Sequence, residues 1–300
     1  MKIRNIVLTS AAVLFCTASI SATTIAHTWV SGSGSDTNPC TFALPCLTFQ
    51  HALANTTGGG IITAKDAGDF GSVIISQSVT IDGANMGSIG FGGAGEGIYL
   101  SQSGMNPITV ILHNLTINGQ GTGSNGIYFS GQGNLIIDNC RIEGFTSDGV
   151  EAVNNAAENI AITNTVIVGG NIGSYGFVIY SGSGTVISSL NHVTIQGATN
   201  AAVLSDSGLL EISDSVITQS YYAVLANAGS TISVASSMIT ANTIGVCSNA
   251  SSKIRLDNND IYDNPTAIGN CGGIVKTSTT NKVSGTIAIP AADISESVTF

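Results

Sequence analysis

Isoleucine recurs in near-identical surroundings at positions 117, 142, 167, 195, 217, 239 and 261, at intervals of 25, 25, 28, 22, 22 and 22 residues. A repeat of this length means one small structural unit stacked many times, which excludes most folds at once. The strings ending at these isoleucines are NLTI, NCRI, NTVI, HVTI, DSVI, SSMI and NNDI, and an earlier relative, SVTI, ends at Ile81. Three residues before each stand Asn114, Asn139, Asn164, His192, Asp214, Ser236 and Asn258.

Two further anchors accompany each isoleucine. Ile137, Ile162, Leu190, Ile212, Val234 and Leu256 lie five residues before it. A small residue followed by a large apolar one comes after it: Gly126-Ile127, Gly149-Val150, Gly176-Phe177, Ala202-Val203, Ala223-Val224, Gly245-Val246 and Ala267-Ile268. Each period thus holds three short, alternating, β-branched runs, too short for helices. Three strands in about 22 residues suit one coil of a single-stranded parallel β-helix, an all-β fold whose coils stack about 4.8 Å apart. The residues at minus three are expected to line a turn and form a side-chain ladder. The small residue of the later anchor is expected to allow a tight bend or close packing. Neither a leucine-rich consensus nor the hairpin turns of a β-sandwich are present.

The ends read differently. MKIRNIVLTSAAVLFCTASISATTIA has two cations, a short apolar run and small residues, the pattern of a secretory leader cut near Ala22 or Ala26. The run from Ile6 to Cys16 is too short to span a bilayer. CLTFQHALANT, Cys46 to Thr56, reads as an amphipathic helix that caps the first coil and covers its edge. These readings give a leader over 1–26, a cap over 27–60, coils over 61–273 and a tail or second cap over 274–300. In the tail, TIAIP and ESVTF have strand character.

Only 9% of residues are charged, with eighteen Asp and Glu against eight Lys and Arg. Loss of Lys2 and Arg4 with the leader moves the net charge from -10 to -12. This balance disfavours nucleic acid and anionic membranes as partners. Of the five cysteines after the leader, Cys40 and Cys46 suit a small disulfide loop, and Cys247 and Cys271 suit a bridge between neighbouring coils. Cys140 is left over and aligns with Leu115, Thr165 and Val193, an inward position for an inert thiol. The cysteine spacing and scattered histidines assign no metal site.

TWVSGSGSDTNPCTFALPCLTFQHAL, then GGGIITAKDAGDFGSVIISQSVTIDG, then NLTI, NCRI and NTVI resemble secreted bacterial right-handed parallel β-helix proteins of the pectin-lyase-like superfamily, over roughly residues 28 to 273. The resemblance implies polysaccharide lyases, hydrolases, epimerases or esterases, or else adhesins and binding fibres. A pectate-type lyase would use aspartate-held calcium and an arginine or lysine base. Arg141, near Glu143, Asp148 and Glu151, is the candidate, without the supporting aspartates. The hydrolase pattern of an NTD segment, an Asp-Asp pair, a His-Gly turn and an RIK segment is missing, although Asp148 and Glu151 remain a carboxylate pair.

Binding draws on the repeat register. Aligning EGIYL, NGIYF and DGVEA places Tyr99, Tyr128 and Glu151 on one outward line and Glu96, Asn125 and Asp148 on another. Tyrosines and carboxylates on one face suit sugar rings and hydroxyls, or a divalent ion such as Ca2+, although no cofactor is assigned. The expectation is a secreted or surface β-helix that binds polysaccharide or serves as an adhesin-like scaffold. The alternative is a polysaccharide-active enzyme working through Arg141 and its neighbouring carboxylates. An enzyme requires these groups to converge in one cleft; a sugar platform requires the Tyr99 and Tyr128 rings exposed and roughly coplanar.

Overall fold

The three anchors of each period fall in three different sheets. The structure, a computed structural model, describes residues 25–101, 106–153, 158–169, 175–180, 182, 184 and 186–289. Most of the expected leader and the segment ESVTF lie outside these residues. The first sheet has eleven strands, from Ile25–Val30 to Ile274–Thr277. The second has ten short strands, from Gly68–Asp69 to Lys282–Val283, and the third has ten, from Val73–Ile75 to Thr286–Ile287. All paired strands are parallel, and each joins the equivalent strands of neighbouring coils. The result is a parallel β-helix.

The repeated isoleucines form a continuous ladder in the second sheet, Ile117 beside Ile142 beside Ile167 and onward to Ile261. All are buried, as are the anchors of the other two sheets. Each such side chain contributes about 1.5–3 kcal/mol through removal from water.

The minus-three residues adopt φ between +49° and +56° at all seven positions. This left-handed conformation costs about 1–2 kcal/mol in most side chains and is tolerated best by Asn and Asp. It turns the chain sharply from the first sheet to the second. Asn139 Nδ2 donates to Asn114 Oδ1 at 2.7 Å, so part of the expected ladder exists there. The buried ladder lies one residue later, however. The amides of Val193, Ser215, Ser237 and Asn259 donate to the side chains of Ser215, Ser237, Asn259 and Asn281. Each inward polar side chain satisfies the backbone of the coil before it, which burial demands.

The small residue of the later anchor serves packing, not bending. A Cβ on Gly126 would meet Ile142 Cγ2 at 2.5 Å and the Gly149 carbonyl at 2.6 Å. Gly149 and Gly176 are equally crowded by Ile167 and Ile195.

The cap helix is Phe49–Asn55, with Thr48 Oγ1 accepting from the His51 amide at 3.1 Å. Asp36 accepts from the amides of Leu47 and Thr48, fixing the approach to the helix. Phe49, Ala52 and Leu53 are its buried face. Cys40–Cys46 and Cys247–Cys271 are disulfides, and Cys140 is free and buried. The strand Ile25–Val30 begins two residues inside the expected leader boundary of 26 and pairs with Thr56–Ala64. Coiling also continues past Gly273. Val283 pairs with Ile261, and Asn281 repeats Asn259 at a separation of 22 residues.

Candidate functional site

The outer face of the third sheet gathers the chain's unusual polar groups. Tyr99, Tyr128 and Glu151 are register neighbours on consecutive strands, as are Glu96 and Asn125. The Asp148 amide donates to Asn125 Oδ1 at 3.2 Å, which places Asp148 next in that column, followed by Tyr175. The bare inward side of Gly126 precedes inward Ile127, so the strand's alternation breaks there and Asn125 and Tyr128 share the outer face.

Hydrogen bonds fix this group. Asn125 Nδ2 donates to Glu151 Oε2 at 2.5 Å. Ser147 Oγ donates to Asp148 Oδ2 at 3.0 Å, and the Tyr175 amide to Asp148 Oδ1 at 3.1 Å. Asp148 is only 2% exposed, and burial raises its carboxyl above the usual range. Burial, and then the Asp148 charge, push Glu151 up to about 7. Asn125 bridges the two acidic residues, its Oδ1 accepting from the Asp148 amide and its Nδ2 donating to Glu151. Near neutrality Glu151 is therefore partly protonated, because burial and then the charge of Asp148 oppose its ionisation.

Tyrosines wall the carboxyls. The Tyr99 and Tyr128 rings lie 5.3 Å apart, tilted by 58°. Both are partly exposed, but the rings are not coplanar as a flat sugar platform requires. Register puts the side chains one above the other without fixing their rotation. Burial, with Glu151 next, raises the Tyr128 hydroxyl. Tyr175 and Tyr180 meet edge to face at 6.2 Å, and Asn200 Nδ2 donates to the Tyr175 hydroxyl at 3.0 Å. Farther along, the outer face becomes apolar and buried through Val178, Leu204, Leu225 and Cys247.

Arg141 and Glu143 do not join this group. They lie on the second sheet, where Glu143 Oε2 accepts from Arg141 Nη2 at 2.6 Å and Nε at 2.8 Å. No ion pair links Arg141 to Asp148 or Glu151 among the described residues. The four candidates are close in sequence, but the corner after Glu143 sends the two pairs onto different faces. The lyase arrangement of an arginine among carboxylates is absent from the described residues. Asp148 and Glu151 do lie together on the third sheet, three residues apart on the strand Asp148–Val153. Cys140 has no part in the site; burial pushes its thiol up to about 12.

Among the described residues, Cys40, Cys46 and His51 are the one set of three or more metal-type ligands within 4.8 Å of one another, and its cysteines are disulfide-bonded.

Sequence reading missed Asn200 and Asp206. Asp206 follows the strand Ala201–Ser205, and its amide donates to the Ile179 carbonyl at 2.9 Å. Its column, already holding Tyr180, was readable from the register; Asn200 sits in a turn that no anchor marks.

The fold is a right-handed parallel β-helix. The sequence model for the right handed beta helix region matches residues 55–194. Among solved structures, a pectate lyase superposes with a TM-score of 0.61 at 13% identity, covering 89% of this chain and 79% of the lyase. A tailspike protein of Escherichia coli O157:H7 bacteriophage CAB120 gives 0.60 at 14% identity, covering 79% of this chain and 36% of the tailspike. The A-module of an Azotobacter vinelandii mannuronan C-5 epimerase gives 0.54 at 14% identity, covering 76% of this chain and 80% of the module. No curated protein matches the sequence. Identities this low establish the fold and leave the chemistry to the site.

Proposed function

We propose that this protein is a secreted or surface-exposed β-helix that binds polysaccharide on the outer face of its third sheet. The observation that carries this reading is the Tyr99–Tyr128 pair set beside the hydrogen-bonded Asn125–Glu151–Asp148 group. Tilted tyrosines offer apolar ring faces and hydroxyls, and the amide and carboxyls offer directional partners for sugar hydroxyls. The two disulfides suit an oxidising compartment. The polysaccharide-related names of the pectate lyase and mannuronan epimerase support the same class of partner. No helix among the described residues is long and apolar enough to cross a membrane.

A glycan array, run with and without Ca2+, tests the proposal. Tyr99→Ala and Tyr128→Ala are each expected to weaken binding about tenfold. Retained binding in the double variant would sink the reading, and failure to bind any glycan would leave an adhesin-like scaffold.

One observation favours a second reading, as an enzyme. Glu151, at about 7, is poised to give or take a proton at neutral pH. In that reading Asp148 and Glu151 act alone, without Arg141. Release of new sugar ends or unsaturated products, abolished by Glu151→Gln, is its expected signature.

A further inference from the structure

Six lysines and arginines lie among the described residues, and three of them are engaged. Lys65 donates to the Phe42 carbonyl at 3.0 Å, Arg141 pairs with Glu143, and Lys282 pairs with Asp260 at 3.1 Å. The other three stand together on the outer face of the first sheet. Arg255 and Lys276 are register neighbours on adjacent strands, and Lys253 precedes Arg255 by two residues on the same face. Strand geometry puts the three Cα atoms within about 8 Å of one another. All three are partly exposed, and no ion pair or side-chain hydrogen bond engages them among the described residues. Asp257, the carboxylate on the same strand, accepts from the Thr280 hydroxyl at 2.8 Å instead.

Like charges side by side across a ladder repel. A lysine on the last strand of a sheet guards against pairing with other chains, and Lys276 stands there. That role does not extend to Lys253 and Arg255, which lie one strand farther in. In a chain of net charge -10, three uncompensated cations in one place mark a seat for an anion. One planar guanidinium and two ammonium groups, set in a triangle, suit the three free oxygens of a sulfate or phosphate ester better than the two of a carboxylate.

The surface beside the patch indicates what carries the ester. Two outward columns lead away from it. One runs from Lys253 through Thr231 to Leu209 and Ile187, the other from Arg255 through Ser233 to Glu211 and Ser189. Their far parts line a groove of about 490 Å³, with Ile136, Ile187 and Leu209 as apolar surface and Asn134 and Asn159 at one end. Hydroxyls, amides and aliphatic surface in one narrow track fit a saccharide chain. A bilayer would press its charge against the rest of an acidic molecule, whereas a single chain meets only the track. Neither column holds an aromatic ring on which nucleic-acid bases could stack.

Independently of the third-sheet site, we infer that the outer face of the first sheet is a second binding surface, for a glycan bearing sulfate or phosphate esters. The ester oxygens sit on Lys253, Arg255 and Lys276, and the chain runs along the groove toward Asn159.

Calorimetry at neutral pH with dextran sulfate, dextran phosphate, galacturonate and uncharged dextran oligosaccharides of equal length tests this. At least one esterified chain is expected to bind about tenfold or more tighter than the galacturonate chain, with weakening in high salt, and the tighter of the two names the ester. Arg255→Gln is expected to weaken that binding about fivefold. The triple variant Lys253→Gln, Arg255→Gln, Lys276→Gln is expected to bring it to the level of uncharged dextran, with an unchanged circular dichroism spectrum. Lys282→Gln, which removes a paired lysine of the second sheet, should leave it unaltered. Absence of binding to both esters, equal affinity for galacturonate, retained binding in the triple variant, an equal loss in Lys282→Gln, or tighter binding to phosphatidylglycerol vesicles each overturns the inference. The Tyr99 and Tyr128 variants decide the third-sheet reading separately.

Discussion

The early coils and the late coils solve the same corner differently. Between the second and third sheets, the early coils fill the interior with rings: Phe70, Phe91 and Phe145 are all buried. The late coils place Ala198, Ser220, Asn242 and Asn264 there, and join them by hydrogen bonds. The amides of Ala198, Ser220 and Asn242 donate to Ser220 Oγ, Asn242 Oδ1 and Asn264 Oδ1. Asn242 Nδ2 also reaches the carbonyls of Ile217 and Thr240. A polar ladder requires equal spacing, so the late coils hold a 22-residue period. Rings impose no such spacing, so the early coils vary in length and admit the site. The regular ladder and the candidate site lie in different parts of one stack.

The comparison breaks most visibly at the rings. Phe145→Ala is expected to lose about 3–5 kcal/mol in urea unfolding, because no neighbour can fill the space. A loss under about 1 kcal/mol would show that the early corner is not held by its rings. Next is the late coils' covalent tie. Cys271→Ser is expected to cost about 2–4 kcal/mol, judged against wild type in oxidising and reducing buffer. Asn242→Ala follows, at about 1–3 kcal/mol, since it leaves the Ser220 amide buried without an acceptor. Hydrogen exchange should show that amide and its neighbours opening first. If Asn242→Ala costs as much as Phe145→Ala, the two corners are equivalent and the contrast fails.

The smallest effect is on pH dependence, and it belongs to the early coils. Glu158 is buried, and neither of its carboxylate oxygens has a hydrogen-bond partner. Burial pushes it up from the ordinary value of 4.5 to about 8, and the Gly131 amide, outside hydrogen-bonding geometry, offsets only part of this. Glu151 rises from 4.5 to about 7. Raised native values mean that the folded chain binds more protons than the unfolded chain in this window. Their contribution is therefore fully present below 4.5 and is lost as pH climbs through 7 and 8. Melting temperature should fall from pH 5 to pH 8, and Glu158→Gln should flatten the upper part of that fall. An unchanged slope in the variant would remove Glu158 from the account.

The columns of the site were legible because register copies one coil onto the next. Tyr99, Tyr128 and Glu151 share a line because Ile98, Ile127 and Val150 do. The final coil was harder to see. Val283 replaces the isoleucine and Thr280 the asparagine, so the string NKV hides a repeat that Asn281 continues.

By itself the sequence determined the three-strand coil, its buried anchors, the asparagine turn and the inward Cys140, since each follows from a pattern that the coils repeat; it only suggested the Cys40–Cys46 loop from proximity and left the Cys247–Cys271 bridge open. Only the tertiary structure decided which neighbours in sequence become neighbours in space. Arg141 and Asp148 are seven residues apart, yet the corner between them puts one on the second sheet and the other on the third. Asp148 and Asp206 are 58 residues apart, yet stacking brings both to one tyrosine wall. A corner rotates a side chain by a whole face, and the burial that raises a carboxyl comes from coils that the local sequence does not contain.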